Sequence, residues 1–159
     1  MRAGNRCRPD SAGFTLLVAL ALLVIVSLGL SIAGPAWSAR AHRERERELL
    51  RIGALYAVAI AEYRDRSPGA SRSYPDNLAS LLIDPRYPAL VRHVRQLYPD
   101  PLDPHRPWGL VRDAGGHITG VYSDSADAPL IVTSIQAGPV TLPPAATYAD
   151  WKFIAPPSP

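Results

Sequence analysis

The chain has 159 residues, and 47% of them are apolar, which is enough for the core of one modest domain but not of two. Its 17 basic and 14 acidic residues leave a net charge of +3, with no basic cluster of the kind that binds nucleic acid. The single cysteine, Cys7, excludes a disulfide within the chain. These features argue against a large multidomain enzyme, a nucleic-acid-binding protein and a small disulfide-stabilised domain.

An apolar run occupies residues 14–33 (FTLLVALALLVIVSLGLSIA), in which only three residues are polar. About 20 helical residues cross the roughly 30 Å hydrocarbon layer of a bilayer, so this run is long enough to span a membrane. Three arginines precede it within residues 1–13, and the positive-inside rule keeps such a leader in the cytoplasm. The sequence therefore predicts a single-pass transmembrane segment over residues 14–39.

Helical periodicity resumes after Gly34 and Pro35 and continues to about Arg66. If the helix passes through Pro35, residues 14–66 form one helix, because proline kinks a long helix without necessarily ending it. Apolar residues at three- and four-residue spacing mark one stripe, which is predicted to pack on a β-sheet. The stripe comprises Leu49, Ile52, Leu55, Tyr56, Ala59, Ile60 and Tyr63. Favourable pairs on the other faces are predicted for Glu44–Arg47, Glu48–Arg51 and Glu62–Arg66.

Proline distinguishes the second part of the chain, since 15 of the 17 prolines follow residue 67. Proline removes a helical hydrogen bond, so this part cannot be mostly helix. The Ser-Pro-Gly sequence at residues 67–69 predicts the end of the long helix. Beyond it we predict short helices around residues 77–83 and 89–98, strands over 108–112, 117–123, 130–135 and 151–154, a hairpin turn at 113–116, and a disordered tail at 156–159.

Together these elements predict an α+β fold, with a long N-terminal transmembrane helix that continues into a small antiparallel β-sheet head. The predicted division of the chain is a cytoplasmic leader at residues 1–13, a transmembrane and assembly helix at 14–39, the outer half of the long helix at 40–66, and the head at 67–155.

Residues 13–17 (GFTLL) and Pro35 carry a resemblance to a known family. A short basic leader ends in Gly13, the apolar helix starts at Phe14, and Pro35 is the twenty-second residue counted from Phe14. This pattern resembles the class III signal of type IV pilins and of the pseudopilins of type II secretion. The later segments RERERELLRIGALYAVAIAEYR, YPDNLASLLIDPRYP and WGLVRDAGGHITGVYSDS look like those of major-pseudopilin-like proteins.

The resemblance implies that a prepilin peptidase cuts between Gly13 and Phe14 on the cytoplasmic side of the bacterial inner membrane, and that Phe14 is then N-methylated. The mature chain would have 146 residues, with its head in the periplasm. The implied partners are other pilin or pseudopilin subunits, the peptidase and an inner-membrane assembly platform. Gly29 and Ala33, four residues apart, offer a small-residue face for contacts between helices.

One position departs from the family pattern. Most pilins carry Glu five residues into the mature chain, and here that position is Val18. An ionised Glu in hydrocarbon is costly unless paired, and in the family it pairs with the free N-terminal amine of the adjacent subunit. Val18 removes this pairing, which agrees with a place at a filament tip, a low-copy role, or a pilin-like protein outside filaments.

Other interpretations of the apolar run stay open. An uncleaved signal anchor explains the apolar residues, and so does a secretory signal cut near residues 36–39 (AWSA), although secretory signals usually have an apolar core of 7–15 residues. A different class of protein, a bitopic periplasmic adaptor or binding module, would use the helix only as an anchor. Val18 bears on this choice, because a filament subunit is expected to have Glu there and an anchor is not.

Asp124 and Asp127 follow the predicted strand at residues 117–123, in a loop that is similar in order to the calcium loop of major pseudopilins. The resemblance therefore implies a candidate Ca²⁺ site. Calcium takes six to eight oxygen ligands, of which these carboxylates, Ser123 and Ser125 would supply part. Asp and Ser are also common turn residues, which explains the loop without an ion.

An enzyme is not expected, because the four histidines lack paired metal spacing and no GxSxG, HExxH or phosphate-loop motif is present. Asp100 and Asp103 are predicted to organise the backbone of a proline-rich turn. His93, close to two arginines, is predicted to lie on a solvated helix face. The Arg/Glu block at residues 43–51 is either another solvated face or a docking face for partner subunits.

Overall fold

A computed structural model describes residues 11–69 and 72–158, and the side chains within them except those of residues 11–12 and 28–36. Contacts divide the chain after His42 into two compact units. The unit that begins at Arg43 is called the head below.

Helix α1 spans Ser11–Asp65, a single helix of 55 residues. The predicted continuation of the helix through position 35 is therefore confirmed. The helix ends just before Ser67-Pro68-Gly69, as predicted, and Gly69 adopts a φ of 86°. This left-handed backbone conformation suits glycine, which has no Cβ to clash.

The remaining elements are short. Strands β1 (Gly109–Arg112), β2 (Ile118–Tyr122) and β5 (Phe153–Ile154) form one antiparallel sheet in the order β1-β2-β5. Strands β3 (Ile135–Ala137) and β4 (Val140–Leu142) form a separate antiparallel pair. A four-residue helix α2 (Ala79–Leu82) precedes β1, and a 3₁₀ turn (Tyr148–Asp150) precedes β5. The described chain is thus α+β, with a helix followed by small antiparallel sheets.

The apolar stripe of α1 forms one wall of the head's core. All of its predicted members are buried except Leu55, which is partly buried. Strand β5 packs closely on this wall at Gly53, where an added Cβ would lie 2.5 Å from ring carbons of Phe153. A glycine in the middle of a helix costs roughly 1 kcal/mol relative to alanine, and here it permits the close approach of the last strand.

The turn between β1 and β2 is the predicted hairpin. Asp113 Oδ1 accepts hydrogen bonds from the backbone N–H groups of Gly115 and His117, both at 2.9 Å, and Gly116 adopts a φ of 84°. The Asp113 carboxylate thus takes the place of a backbone acceptor, which explains why the sequence Asp-Ala-Gly-Gly at residues 113–116 folds as a turn.

The helix predicted at residues 89–98 is wrong. This segment has no regular secondary structure, and its backbone bonds to α2 instead: the N–H groups of His93 and Val94 both donate to Leu81 O, at 2.9 and 3.1 Å. The N–H of Asp84 donates in turn to Val91 O at 3.0 Å. These tertiary hydrogen bonds compete with an intrahelical ladder, for which Val91 and Val94 are only moderate formers.

The strand predicted at residues 130–135 is also largely wrong, because β3 begins only at Ile135. The N–H of Leu130 donates to the carboxylate of Glu46 at 2.7 Å rather than to a neighbouring strand. The pairing partner β4 was missed, although Gly138, with a φ of 58°, and Pro139 stand between two short apolar runs. A glycine in a short connection between such runs is a hairpin signal.

The chain near its C-terminal tail is tied to α1. Arg64 donates to Pro156 O at 2.9 Å, and Ser158 Oγ donates to Asp65 at 2.9 Å. The disorder predicted over residues 156–159 is therefore wrong for Pro156 and Ser158, which are held by these hydrogen bonds. Pro159 lies outside the described residues. The same end of α1 carries the buried side chain of Arg64, which also bonds Tyr74 and Asp65.

Two of the three predicted ion pairs on α1 are present. Glu44 lies 3.7 Å from Arg47, and Glu48 lies 2.6 Å from Arg51. Glu62, predicted to pair with Arg66, instead has a carboxylate oxygen 3.9 Å from His93 Nδ1. The Arg/Glu block is therefore mostly solvated, with one exception at Glu46 that is described below.

Candidate functional site

The beginning of α1 presents apolar side chains to solvent on all of its faces. Every residue from 13 to 27 is exposed. Gly13 has no neighbour within 4 Å of a would-be Cβ, and Phe14 is 71% exposed. The hydroxyl of Ser27 donates to Leu23 O at 2.7 Å, so this polar group is satisfied within the helix. A helix that is apolar on every face requires a covering, and residues 13–27 find none among the residues that the structure describes.

Part of the predicted assembly helix lies outside the described side chains. Gly29, Ala33 and Pro35 belong to this part, and the contacts predicted for them stay predictions. Val18 is described and is 42% exposed. Of the predicted leader, residues 1–10 lie outside the described residues, so processing between Gly13 and Phe14 also stays a prediction.

Among the described residues, no helix is both long enough and apolar enough to span a membrane. The twenty-residue run of the sequence includes residues 28–33, which lie outside the described side chains.

The predicted calcium loop is held by protein groups. Asp124 accepts a hydrogen bond from the guanidinium of Arg106 at 3.1 Å, and Asp127 accepts one from Ser125 Oγ at 3.2 Å. The backbone carbonyl of Asp127 bonds the N–H of Tyr148 at 3.0 Å. Within residues 11–69 and 72–158, no three His, Cys, Asp or Glu side chains are grouped to hold a metal ion. The guanidinium group of Arg106 already supplies the positive charge that neutralises Asp124, so these residues as placed do not fit a calcium site.

The predicted roles of Asp100 and Asp103 are confirmed. Asp100 is buried and accepts the N–H of Leu102 at 2.9 Å, while Asp103 accepts the N–H of His105 at 3.2 Å. The adjoining turn borders an open groove of about 490 Å³, which includes Tyr56, Tyr98 and Trp108 in its lining. The Tyr56 hydroxyl and the Trp108 indole N–H both bond the backbone of Tyr98, so the polar atoms of these two side chains are satisfied; the groove surface is mostly apolar, with His105 and Arg106 also in its lining.

Glu46 is a buried acid that the sequence analysis did not single out. It is 3% exposed, and its Oε2 atom accepts hydrogen bonds from the Tyr148 hydroxyl and the Leu130 N–H, each at 2.7 Å. Burial, followed by the hydrogen bond to Glu46, raises the pKa of Tyr148. A signal for this role exists in the sequence, because Glu46 lies three residues before Leu49 and therefore on the apolar stripe.

A second polar cluster joins the C-terminal end of α1 to the loop after α2. Asp84 is 1% exposed; it bonds Arg86 at 2.7 Å and His93 Nε2 at 3.2 Å. Burial would raise the pKa of Asp84, but the hydrogen bonds from Arg86 and His93 outweigh it and lower the pKa to about 2. The Arg86 guanidinium lies 3.5 Å from the ring centroid of Tyr63, a cation–π contact.

The predicted solvated position of His93 is wrong, since its side chain is 0% exposed. The imidazole packs edge-on against Tyr63, with ring centroids 5.4 Å apart, and Nδ1 is buried without a hydrogen-bond partner among the described residues. The neighbouring arginines misled the prediction, because they suggested a solvated helix where the chain has no helix. The cluster of Asp84, Arg86 and His93 fastens the loop to α1, with the side chains of Asp84 and His93 fully buried and that of Arg86 17% exposed.

No protein-family model, curated protein or solved structure matches this chain.

Proposed function

We propose that the chain is a pseudopilin-like subunit of a type II secretion or type IV pilus assembly. A prepilin peptidase would cut between Gly13 and Phe14, Phe14 would be N-methylated, and residues 14–39 would span the bacterial inner membrane once. The N-terminus would lie in the cytoplasm and the head in the periplasm. The subunit would join other pilin-like subunits on an inner-membrane platform.

The observation that carries the proposal is the start of α1. Gly13, followed by Phe14-Thr15-Leu16-Leu17, lies in the first turn of α1, and the apolar side chains from Phe14 to Val26 are exposed on all faces of this helix. Such a surface is stable only in a bilayer or among other helices. Further support comes from the head, where the second half of the same helix packs on a small antiparallel sheet.

Assembly would proceed through the apolar half of the helix. In a bilayer, helices associate by close packing of small and branched side chains, because lipid tails are as apolar as leucine. Repeated head-to-tail contacts between such subunits are open and therefore generate a helical filament. Val18 in place of the usual Glu removes one attraction between neighbours, which favours a tip or low-copy position over the shaft.

The test is mass spectrometry of the N-terminal peptide of the protein purified from its native host. The wild type is expected to give peptides that begin at N-methylated Phe14. The variant Gly13→Leu is expected to keep the leader, whereas Gly4→Leu, a matched change within the leader, is expected to be cut normally. A wild-type start near Arg40, an intact Met1, or normal cutting of Gly13→Leu would refute the proposal.

A further inference from the structure

A shallow cavity lies against the first turn of α1 that belongs to the head. It has a volume of about 400 Å³ and is lined by Arg43, Glu46, Arg47, Leu130 and Ile131. The bond from the Leu130 N–H to the Glu46 carboxylate, at 2.7 Å, fixes the loop beside the two arginines. The cavity is thus built from two parts of the head that are distant in sequence and joined by a buried hydrogen bond.

The charged side chains at this cavity point in two directions, toward the core of the head and toward solvent. The Glu46 carboxylate is directed inward, where it accepts hydrogen bonds from Leu130 and Tyr148. Arg43 is exposed and forms no ion pair or hydrogen bond among the described residues. Arg47 lies 3.7 Å from Glu44, and both side chains are about three-quarters exposed, so this pair is weak. The charges offered to solvent at this point are therefore the guanidinium group of Arg43 and the weak pair of Arg47 with Glu44.

Apolar side chains border the arginines. Leu130, which lines the cavity with the arginines, is 46% exposed, and Val132, two residues further along the same loop, is 76% exposed. Arginine beside exposed aliphatic side chains is typical of protein surfaces that lie at the interface of a bilayer. There the aliphatic groups enter the acyl boundary and the guanidinium groups bind phosphates.

We propose that the surface formed by Arg43, Arg47 and Leu130, called the basic-apolar surface, docks on the anionic headgroups of a bilayer, together with the loop that continues from Leu130 to Val132. The inference rests on the proposed function, in which residues 14–39 lie in a membrane. Arg43 follows that segment by four residues in sequence. Juxtamembrane arginines are attracted to anionic lipids, so this end of the head has a defined lipid partner.

The test uses the full chain with Cys7→Ser and Val132→Cys, labelled at residue 132 with an environment-sensitive fluorophore. The labelled chain is reconstituted into vesicles of phosphatidylcholine, with and without phosphatidylglycerol. We expect the emission to shift to the blue only when phosphatidylglycerol is present. The shift should vanish in about 1 M salt, where the Debye length falls to about 3 Å.

Matched variants locate the effect. Arg43→Gln with Arg47→Gln should abolish the shift, whereas Arg92→Gln with Arg95→Gln, a pair of exposed arginines elsewhere on the head, should leave it intact. Equal losses in both variants, or no shift in the wild type, would overturn the proposal. So would an effect of the Arg43 and Arg47 changes on co-purification with a second copy without any effect on the lipid-dependent shift.

Vesicle flotation separates this inference from the proposed function. If the chain fails to float with phosphatidylcholine vesicles, residues 14–39 do not enter a bilayer, and both proposals fail. If the chain floats but the label at residue 132 does not respond to phosphatidylglycerol, only the docking of the basic-apolar surface is wrong.

Discussion

Helix α1 contains two regions of similar composition and opposite surroundings. From residue 13 to 27 every side chain is exposed, whereas from Leu49 to Tyr63 an apolar stripe is buried against the sheets. Both regions are rich in Leu, Ile, Val and Ala. The difference lies in pattern: the first is apolar on every face, and the second alternates an apolar face with charged ones. A helix that is apolar on every face must be covered by lipid or by other protein chains. A helix with one apolar stripe can be covered by another part of its own chain, as the sheets cover the stripe of α1.

A matched pair of isoleucines gives the strongest test of this difference. Ile60 is 0% exposed and Ile25 is 64% exposed, and both lie in α1. Ile60→Ala should lower the free energy of unfolding of the head by about 2–5 kcal/mol, because it leaves a cavity in a packed core. Ile25→Ala should change it by less than about 0.5 kcal/mol.

The measurement is urea unfolding in detergent micelles, followed by the fluorescence of Trp108 and Trp151, which are both buried. An equal loss of stability in the two variants would contradict the exposure of Ile25. Under the proposed function, Ile25→Ala should instead reduce the recovery of partner subunits, a readout that Ile60→Ala affects only through unfolding.

A pH titration tests the polar anchor of the striped region. Because the pKa of Asp84 is about 2 in the folded chain and 3.8 is its ordinary value, the unfolded chain takes up the proton first as the pH falls. The contribution of Asp84 to the free energy of unfolding is therefore complete above about pH 4. It is lost between about pH 4 and pH 2, which lowers the free energy of unfolding by about 2 kcal/mol. Asp84→Asn should flatten this part of the curve.

The control for the pH titration is Glu48→Gln. Its hydrogen bond to Arg51 lowers the pKa of Glu48, but both side chains are largely exposed, so removing this acid should scarcely alter the acid limb. A wild-type curve that is flat between pH 4 and pH 2 would contradict the pairing of Asp84 with Arg86.

The start of the striped region is tested at Glu46. Glu46→Gln removes the charge that Tyr148 and Leu130 bond, and it should cost about 1.5–3 kcal/mol, as expected for a buried hydrogen bond to a charged group. Glu44→Gln, two residues earlier and 78% exposed, should cost less than about 0.5 kcal/mol. Urea unfolding in detergent measures both, and similar costs would mean that the buried stripe begins after Glu46.

The parts of the fold that depend on local pattern could be predicted from the sequence. The long helix, its end near residue 66, the stripe from Leu49 to Tyr63 and the hairpin turn at Asp113 each follow from periodicity or from turn chemistry. The helix predicted at residues 89–98 failed because Leu81 O, eight residues before Ala89, captures the backbone N–H groups of His93 and Val94. Local propensity contains no information about such a distant acceptor.

The candidate site divides in the same way. Gly13, Phe14 and Val18 could be singled out because a leader signal is a local pattern. The role of Glu46 could not, since its partner Tyr148 is 102 residues away. The role of Asp84 could not either, because its partners Arg86 and His93 pack against Tyr63 of α1, and this contact is tertiary. Periodicity could still have indicated Glu46, whose position on the apolar stripe required a buried partner for its carboxylate.

The contact between Gly53 and Phe153 has a consequence for the order of events during synthesis. The two residues are 100 positions apart, and the ribosome adds about 5–20 residues per second, so the stripe of α1 waits about 5–20 s for the strand that covers it. During this interval the nascent head exposes Tyr56 and Ile60. A chaperone that binds exposed aliphatic and aromatic side chains would therefore bind the stripe of α1 before β5 emerges and would dissociate once β5 covers the stripe.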